Sequence, residues 1–368
     1  AATLLVAASP CAIVISVPAA ILSALSAAAR GGVLFKGGSA LETLAAVDTF
    51  AFDKTGTLTS GKPAVTSIIA LDGNESRLLA LLAGVEAQSE HHSAKAILAE
   101  AAKRNIEPVT VDNVTTYPSE GIAGQYEGKT LWAGNPRLVA RMQARLDHAA
   151  LTPLSLRTDT IIYLGLDDQV LGAVSLADQV RATSKLALNR LKRSGVKRIV
   201  MMTGDRRPVA LQIGQSLGLP PEDIDADMLP EDKVAHVAEL TKQGKVAFVG
   251  DGVNDAAALA RADVGIAMGA AGSEVALQAA DVALLSEDMQ RLAAAHRLAR
   301  RAAGVIKQNL IFALSAMAIL VLASLFWNLP LPLAVLGHEG GTVLVVLNGL
   351  RLLSANLSRQ EGRLISRP

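Results

Sequence analysis

The stretch Val47-Asp48-Thr49-Phe50-Ala51-Phe52-Asp53-Lys54-Thr55-Gly56-Thr57-Leu58-Thr59 passes from an apolar run into a polar, glycine-containing one, and its reading decides the fold. A short apolar run marks a parallel strand buried on both faces, and in open α/β sheets the reacting groups lie beyond the carboxyl ends of the strands. Asp53 is therefore placed at such an edge, where a nucleophile belongs. Gly56 lets the backbone approach an anion closely, while the hydroxyls of Thr55 and Thr57 and the neighbouring amides can donate to phosphate oxygens. Attack of the Asp53 carboxylate on a phosphoryl group fits this arrangement.

Working outward, a helix over Ala182 to Arg193 and strands at Arg198 to Met202, Val246 to Val249 and Val264 to Ile266 predict a doubly wound parallel sheet. From about Ala64 to Gly172 the composition changes to alternating helical and strand-like pieces without a nucleophile motif, which predicts an inserted α+β domain. The expected divisions are 1–30, 31–63, 64–172, 173–300, 301–353 and 354–368. Thr203-Gly204-Asp205 and Gly250-Asp251-Gly252-Val253-Asn254-Asp255 each follow a strand, so a parallel sheet brings both turns beside Asp53. Asp53, Asp251 and Asp255 offer hard oxygen donors that suit Mg²⁺ shared with a phosphate. Lys233 is the point charge available against that phosphate.

The chain has 368 residues, 51% of them hydrophobic and 3% aromatic, with a mean hydropathy of +0.35. That is too apolar for an ordinary soluble enzyme, yet the middle is charged and punctuated by glycine, so membrane and soluble parts are mixed. A net charge of +1, without basic residues interleaved with aromatics, gives no case for nucleic acid. A single cysteine, Cys11, excludes an internal disulfide and any Cys-x-x-Cys site.

Residues 1 to 29 can cross a bilayer, with Arg30 on the cytoplasmic side, and Pro10 and Pro18 are expected to break that helix near its middle. The chain starts within this apolar run, without Met or a signal-peptide pattern, as a cut piece would. Arg297, Arg300, Arg301 and Lys307 introduce a second span from about Val305 to Trp327, and a third runs to about Leu353 before the basic tail Arg359, Arg363 and Arg367. This places the charged middle in the cytoplasm. Ser9-Pro10-Cys11 and His338-Glu339-Gly340-Gly341-Thr342 fall within spans, where a buried imidazole and carboxylate point to function. One thiol with borderline and hard ligands fits a divalent transition ion better than Cu(I).

The seven residues Asp53 to Thr59 are the signature string of the P-type ATPases, and the whole chain resembles the C-terminal half of such a pump. The resemblance implies a haloacid-dehalogenase-like doubly wound phosphorylation domain with an inserted α+β nucleotide-binding domain, flanked by three transmembrane helices. It implies ATP and Mg²⁺ as cofactors and an aspartyl-phosphate on Asp53. Lys54, Thr55, Thr203, Gly204, Asp205, Lys233 and Asn254 are implied as its catalytic companions, and Asp53, Thr55, Asp251 and Asp255 as the Mg²⁺ site. Soluble relatives of this fold carry Asp two residues after the nucleophile. Thr55 stands there instead, which should prolong the acyl-phosphate. Ala257 replaces the family's usual Pro, and Asp178 and Arg181 match a pair read as structural.

Heavy-metal pumps of this family carry a Ser-Glu-His-Pro motif, a Gly-x-Gly and a Gly-Asn. Glu86 and His91 match the first with His92 for Pro, Gly121 alone remains of the second, and Gly134-Asn135 matches the third. Ser-Pro-Cys together with His-Glu-Gly-Gly-Thr resembles the cobalt-type subgroup. This implies Ser9, Cys11, His338, Glu339 and Thr342 around a transported ion, with Co²⁺ leading and Zn²⁺, Fe²⁺ or Ni²⁺ as alternatives. The expected setting is a multi-pass protein of a bacterial inner membrane, partnered with lipid and with the missing N-terminal half of the pump, whose actuator domain has no counterpart here. The rival readings are a soluble-type aspartate-nucleophile phosphatase, a pump for potassium or lipid, and a non-cycling fragment that binds nucleotide and metal only.

Overall fold

The computed structural model describes all residues except 1, 90, 152–153, 155–158, 252–254, 270–273, 356 and 358–368. The chain divides into two compact units. One comprises Ala1–Leu58, Ala182–Asp205 and Ile213–Pro368, the other Thr59–Arg181 with Arg206–Gln212. The insertion therefore begins and ends a few residues outside the 64 and 172 read from composition. The reason is that Thr59–Ala70 and Gln169–Val180 pair with each other antiparallel from Thr59↔Val180 to Ala70↔Gly172.

In the first unit, seven strands lie in the order Val33–Phe35, Val282–Leu284, Val264–Ala267, Val246–Gly250, Thr49–Asp53, Arg198–Met202 and Ile224–Asp225. All neighbours are parallel except the first pair. Strand Thr49–Asp53 is central, with Phe50, Ala51 and Phe52 fully buried, because helices cover both faces of a parallel sheet. Its register sets Asp53 opposite Met202 and Phe52 opposite Val249, so the turns after Met202 and Gly250 open at the same edge.

Among the described residues, three helices are long and apolar enough to cross a membrane, within Thr3–Arg30, Met289–Phe326 and Leu331–Ser354. The first is interrupted where expected at Pro10, with helix Ala2–Ala7 ending and Cys11–Arg30 starting beyond it. Pro18 corrects the expectation of a second break, for it lies inside the continuous helix. A proline costs a spanning helix only one amide donor, a loss that such helices tolerate. The second span, expected from about Val305 to Trp327, falls within a longer helix. Met289–Phe326 is one helix of 38 residues, roughly 57 Å long, which is about twice the hydrocarbon thickness. The basic residues at 297, 300, 301 and 307 thus belong to the same rod as the span.

The second unit carries six antiparallel strands, in the order Thr59–Ala70, Gln169–Val180, Thr160–Leu166, Lys129–Gly134, Gly121–Tyr126 and Asp112–Tyr117. Leu79, Leu82 and Ile97 of helices Glu75–Glu86 and His92–Lys103 pack on Leu131, Leu164 and Val174 of that sheet. Its other core is built on Trp132, fully buried, whose indole nitrogen donates to the Asp167 carbonyl at 2.8 Å. A Cβ at Gly165 would lie 2.0 Å from the Trp132 ring. Gly165→Ala is therefore expected to destabilise this unit by about 1–3 kcal/mol through overpacking. Denaturant titration of the variant, followed by Trp132 fluorescence, tests this, and an unchanged midpoint would contradict the packing.

Candidate active site and membrane cavity

The edge of the first sheet assembles the carboxylates. Lys233, in the first turn of helix Pro230–Gln243, donates from Nζ to Asp53 Oδ1 at 2.5 Å and to Asp255 Oδ1 at 2.9 Å. The helix starts there because Pro230 needs no amide partner and Asp232 reaches back to the Leu229 amide at 2.8 Å. Asp53, Asp255 and Thr203 are buried. Burial, then the Asp255 charge, raises the Asp53 carboxyl to about 6 against the lowering pull of Lys233. Burial pushes the Lys233 ammonium down, but the two carboxylates outweigh it and hold it above its ordinary value.

Gly56 has φ +72°, the left-handed region open to glycine, and a Cβ there would meet the Asp251 carboxylate at 3.7 Å. The loop turns at that point across from Asp251, and Thr55 beside it is exposed. Lys54 is buried against Asp205 at 2.6 Å. This ion pair ties the loop after Asp53 to the second turn. Asp205 also donates its amide to Thr203 Oγ1 at 3.1 Å, and Gly204 between them is exposed. Asp178 accepts hydrogen bonds from Thr59 and Ser60, tying the two long strands together at their start. Asn254 lies outside the described residues. The side-chain acceptors at this edge are carboxylate oxygens, the kind of donor Mg²⁺ takes, with Asp255 and Asp251 both near enough to raise Asp53, but the three are not gathered into one metal-holding cluster.

In the second unit Glu86, His91, Gly121, Gly134 and Asn135 all line one cavity of about 330 Å³. Gly121 and Gly134 face each other across paired strands, and a Cβ on Gly121 would meet the Ala133 carbonyl at 2.2 Å. Asn135 caps helix Pro136–Arg141 through its Oδ1, while its amide donates to Ser119 O at 2.8 Å. Burial raises the Glu86 carboxyl above its usual range. Motif reading missed Ser89, Tyr117, Ser119 and Glu120, which line the same cavity. Glu120 takes two bonds from Arg141 at 2.6 and 2.8 Å, and that guanidinium lies over the Tyr117 ring. Tyr117, Ser119 and Glu120 lie together at one hairpin turn and Ser89 in the loop after helix Glu75–Glu86, and Ser119 carries a signal in standing where the resembled motif has glycine.

In the membrane helices, Ser9, Pro10, His338 and Gly341 line a cavity of about 20 Å³ with Phe312, Met317 and Leu320. Cys11 does not line it, and its sulfur lies 3.0 Å from Ser9 Oγ. Thr342 is buried and donates to the His338 carbonyl at 3.0 Å, one turn back. Glu339 is on the exposed side of its helix, away from the cavity lining. Among the described residues, no group of three or more His, Cys, Asp or Glu side chains is placed to hold a metal ion. The structure thus joins Ser9 to His338 and to Cys11, and leaves Glu339 apart.

The model of the haloacid dehalogenase-like hydrolases matches residues 47–263. A probable cadmium-transporting ATPase of Alkalihalophilus pseudofirmus is 41% identical over 358 residues, covering 95% of this chain and 49% of that protein. A zinc-transporting ATPase of Bacillus subtilis is 39% identical, covering 95% and 55%, and a manganese-exporting P-type ATPase of Mycobacterium bovis is 39% identical, covering 98% and 51%. A crystal structure of a zinc-transporting PIB-type ATPase in the E2.Pi state superposes with a TM-score of 0.85 at 41% identity, over 94% of this chain and 56% of that one. The catalytic domain of the CPx-ATPase CopB-B gives 0.56 at 30% identity, over 73% and 97%.

The chain belongs to the haloacid dehalogenase-like hydrolases and, among these, to the heavy-metal P-type ATPases. It spans about half the length of the curated relatives it matches.

Two outcomes check this geometry. Ser119 has φ +61°. Ser119→Gly should relieve about 1–2 kcal/mol of left-handed strain, less the ~0.4–1 kcal/mol that glycine costs through the unfolded chain. A rise in the unfolding midpoint of the second unit checks it, and a fall would contradict the conformation. The second concerns Asp53, whose carboxyl rises from 3.8 to about 6 on folding. The folded state therefore holds this proton more tightly, so the group's contribution declines as pH rises from about 4 to about 6. Asp53→Asn should stabilise the protein by an amount on the order of 1–3 kcal/mol at neutral pH, with the gain vanishing near pH 4. Unfolding midpoints across that range measure it, and a pH-independent difference would refute the assignment.

Proposed function

We propose that this chain supplies the catalytic and ion-release parts of a membrane pump that uses ATP to export a divalent transition metal through a phosphoenzyme on Asp53. One observation carries the reading: the Lys233-bridged carboxylates crown the same unit whose 38-residue helix descends to the cavity of Ser9 and His338.

Asp53 Oδ attacks the terminal phosphorus of ATP. A phosphorus–oxygen bond forms to the carboxylate as the bond to the bridging oxygen of ADP breaks, and ADP departs with that electron pair. Because the attacking group must be the carboxylate, a proton constant of about 6 keeps Asp53 mostly ionised at cytoplasmic pH. Lys233 offsets charge where it develops, so positioning and electrostatics do most of the work. Asp53, Asp251, Asp255 and Thr55 would hold Mg²⁺, which supplies charge neutralisation on the phosphate oxygens. The absence of an acid/base at position 55 slows hydrolysis of the acyl-phosphate, leaving time for helices to rearrange. The 330 Å³ cavity with Glu86, His91, Gly121, Gly134 and Asn135 would take the nucleoside end of ATP.

For the cargo, the Cys11 thiol, the His338 imidazole and the Ser9 and Thr342 hydroxyls would offer a mixed soft, borderline and hard set. Ser9 in place of a second cysteine, with the His-Glu-Gly-Gly-Thr run, favours Co²⁺, with Zn²⁺, Fe²⁺ and Ni²⁺ as the next candidates. The relatives named for cadmium, zinc and manganese support a divalent cargo.

In the complete pump, Asp53→Asn is expected to abolish acid-stable labelling from γ-labelled ATP. Cys11→Ala and His338→Ala should raise the half-maximal metal concentration about 10–100-fold while labelling at saturating metal survives. Metal titrations with Co²⁺, Zn²⁺, Fe²⁺ and Ni²⁺ read out both. Labelling that persists without Asp53, or metal curves indifferent to Cys11 and His338, would overturn the corresponding half of the reading.

A further inference from the structure

On helix Met289–Phe326 the exposed residues Arg297, Arg300, Arg301, Gly304, Lys307 and Gln308 share one face. At 3.6 residues per turn they occupy an arc of about 120°, ending just before the apolar run that begins at Leu310. The opposite face, with His296, Leu298, Ala299, Ala302 and Asn309, is buried. No Asp or Glu occurs between Asp288 and Glu339, so this helix does not neutralise its own cations. The neighbouring helix Ser184–Arg193 ends in Arg190, Lys192 and Arg193 and adds positive charge. Arg190 donates to Gln290, and Arg300 donates one nitrogen to the Ser194 carbonyl at 2.7 Å, which orients its guanidinium.

Gly304 sits in the middle of this stripe. A glycine inside a helix costs about 1 kcal/mol relative to alanine. Here no close packing accounts for it, because a Cβ at Gly304 would have nothing within 4 Å. Residues three and four positions away are its neighbours on the helix surface, so the long side chains of Arg300, Arg301, Lys307 and Gln308 surround a gap that holds no side chain. The gap lies roughly 9 Å before Leu310 along the axis, within reach of the headgroup layer for side chains of this length.

We propose that Gly304 is the floor of a binding niche for the phosphodiester of an anionic phospholipid in the cytoplasmic leaflet. Arg300, Arg301 and Lys307 pair with the phosphate, and Gln308 donates to it or to the headgroup. The chemistry requires only a singly charged phosphodiester next to a bilayer surface, which phosphatidylglycerol supplies. Juxtamembrane cations are worth about 1 kcal/mol each at an anionic surface, or roughly fivefold in affinity. Seating a lipid there would steady the helix between sheet and span.

The test uses the full-length protein in nanodiscs of phosphatidylcholine with increasing phosphatidylglycerol, with lipid retention read by native mass spectrometry after extraction. The wild type should retain phosphatidylglycerol over phosphatidylcholine. Lys307→Gln and Arg301→Gln should each lower that preference roughly fivefold. Gly304→Leu should lower it while leaving the charge untouched, and Gly304→Ala, a better helix former, should keep the fold and reduce retention less. Thermal unfolding of each variant reports folding separately. Equal retention of the two lipids by the wild type, undiminished retention by a folded Gly304→Leu protein, or displacement by inorganic phosphate as effective as by phosphatidylglycerol would each overturn the niche.

Discussion

One ammonium group between two buried carboxylates is the contact on which the phosphoryl-transfer edge depends. Asp53 and Asp255 end or follow adjacent parallel strands, and each lies within 2.9 Å of Lys233 Nζ. Two like charges about 4 Å apart repel by roughly 4 kcal/mol at an effective dielectric of 20, which a sheet edge cannot absorb without a counter-ion. Lys233 supplies it, and the same charge can pass to a phosphate that arrives at Asp53. Burial, and after it the Asp255 charge, still holds the Asp53 carboxyl above its ordinary value against the pull of Lys233.

That edge is tied to the membrane through packing beneath the sheet. His296, on the long helix, is fully buried, sits edge-on to the Phe50 ring at 5.5 Å and has its Nδ1 2.7 Å from Ser194 Oγ. Phe50 stacks on Phe52, the residue before the nucleophile. Farther down the same rod, buried Asn309 donates to the Val345 carbonyl at 3.0 Å and accepts from Asn348 at 2.8 Å, joining the last two spans. Polar bonds of this kind hold helices in register where the hydrophobic effect cannot. Arg291 donates to Gly31 O at 2.6 Å and Arg30 to Leu353 O, so the first span is pinned to both others at the end that carries Arg30. The long helix therefore packs beneath the strand that ends in Asp53 at one point and bonds to the last span at another.

Much of the active edge was legible in the chain. Three apolar runs followed by acidic turns can meet only at the carboxyl edge of a parallel sheet, which is why Asp53, Asp251 and Asp255 could be grouped before any coordinates. The pairing of Lys54 with Asp205 was not legible, since a lysine beside a nucleophile reads equally well as a phosphate ligand. The nucleotide-type cavity was read in part. Its motif residues were visible, but the contact of Arg141, at the end of helix Pro136–Arg141, with Glu120 and Tyr117 of the hairpin turn depends on how that helix packs, which leaves no local trace. The three apolar spans were legible as well. Pro18 was read as a breaker beside Pro10, whereas the continuity of the helix there is decided by the surroundings of its backbone rather than by the proline alone.

Residue chemistry and strand periodicity determine by themselves that this protein places a carboxylate at a sheet edge and polar residues within membrane-length helices. These follow from which groups can be buried and from the fixed direction of parallel strands. Tertiary structure alone decided that Lys233 bridges two acids, that Glu339 turns away from the cavity that His338 enters, and that a single rod runs from sheet to span. Such outcomes depend on side-chain direction and on contacts between distant segments, where a rotation of one helix by about 100° per residue moves a ligand from the inside to the outside.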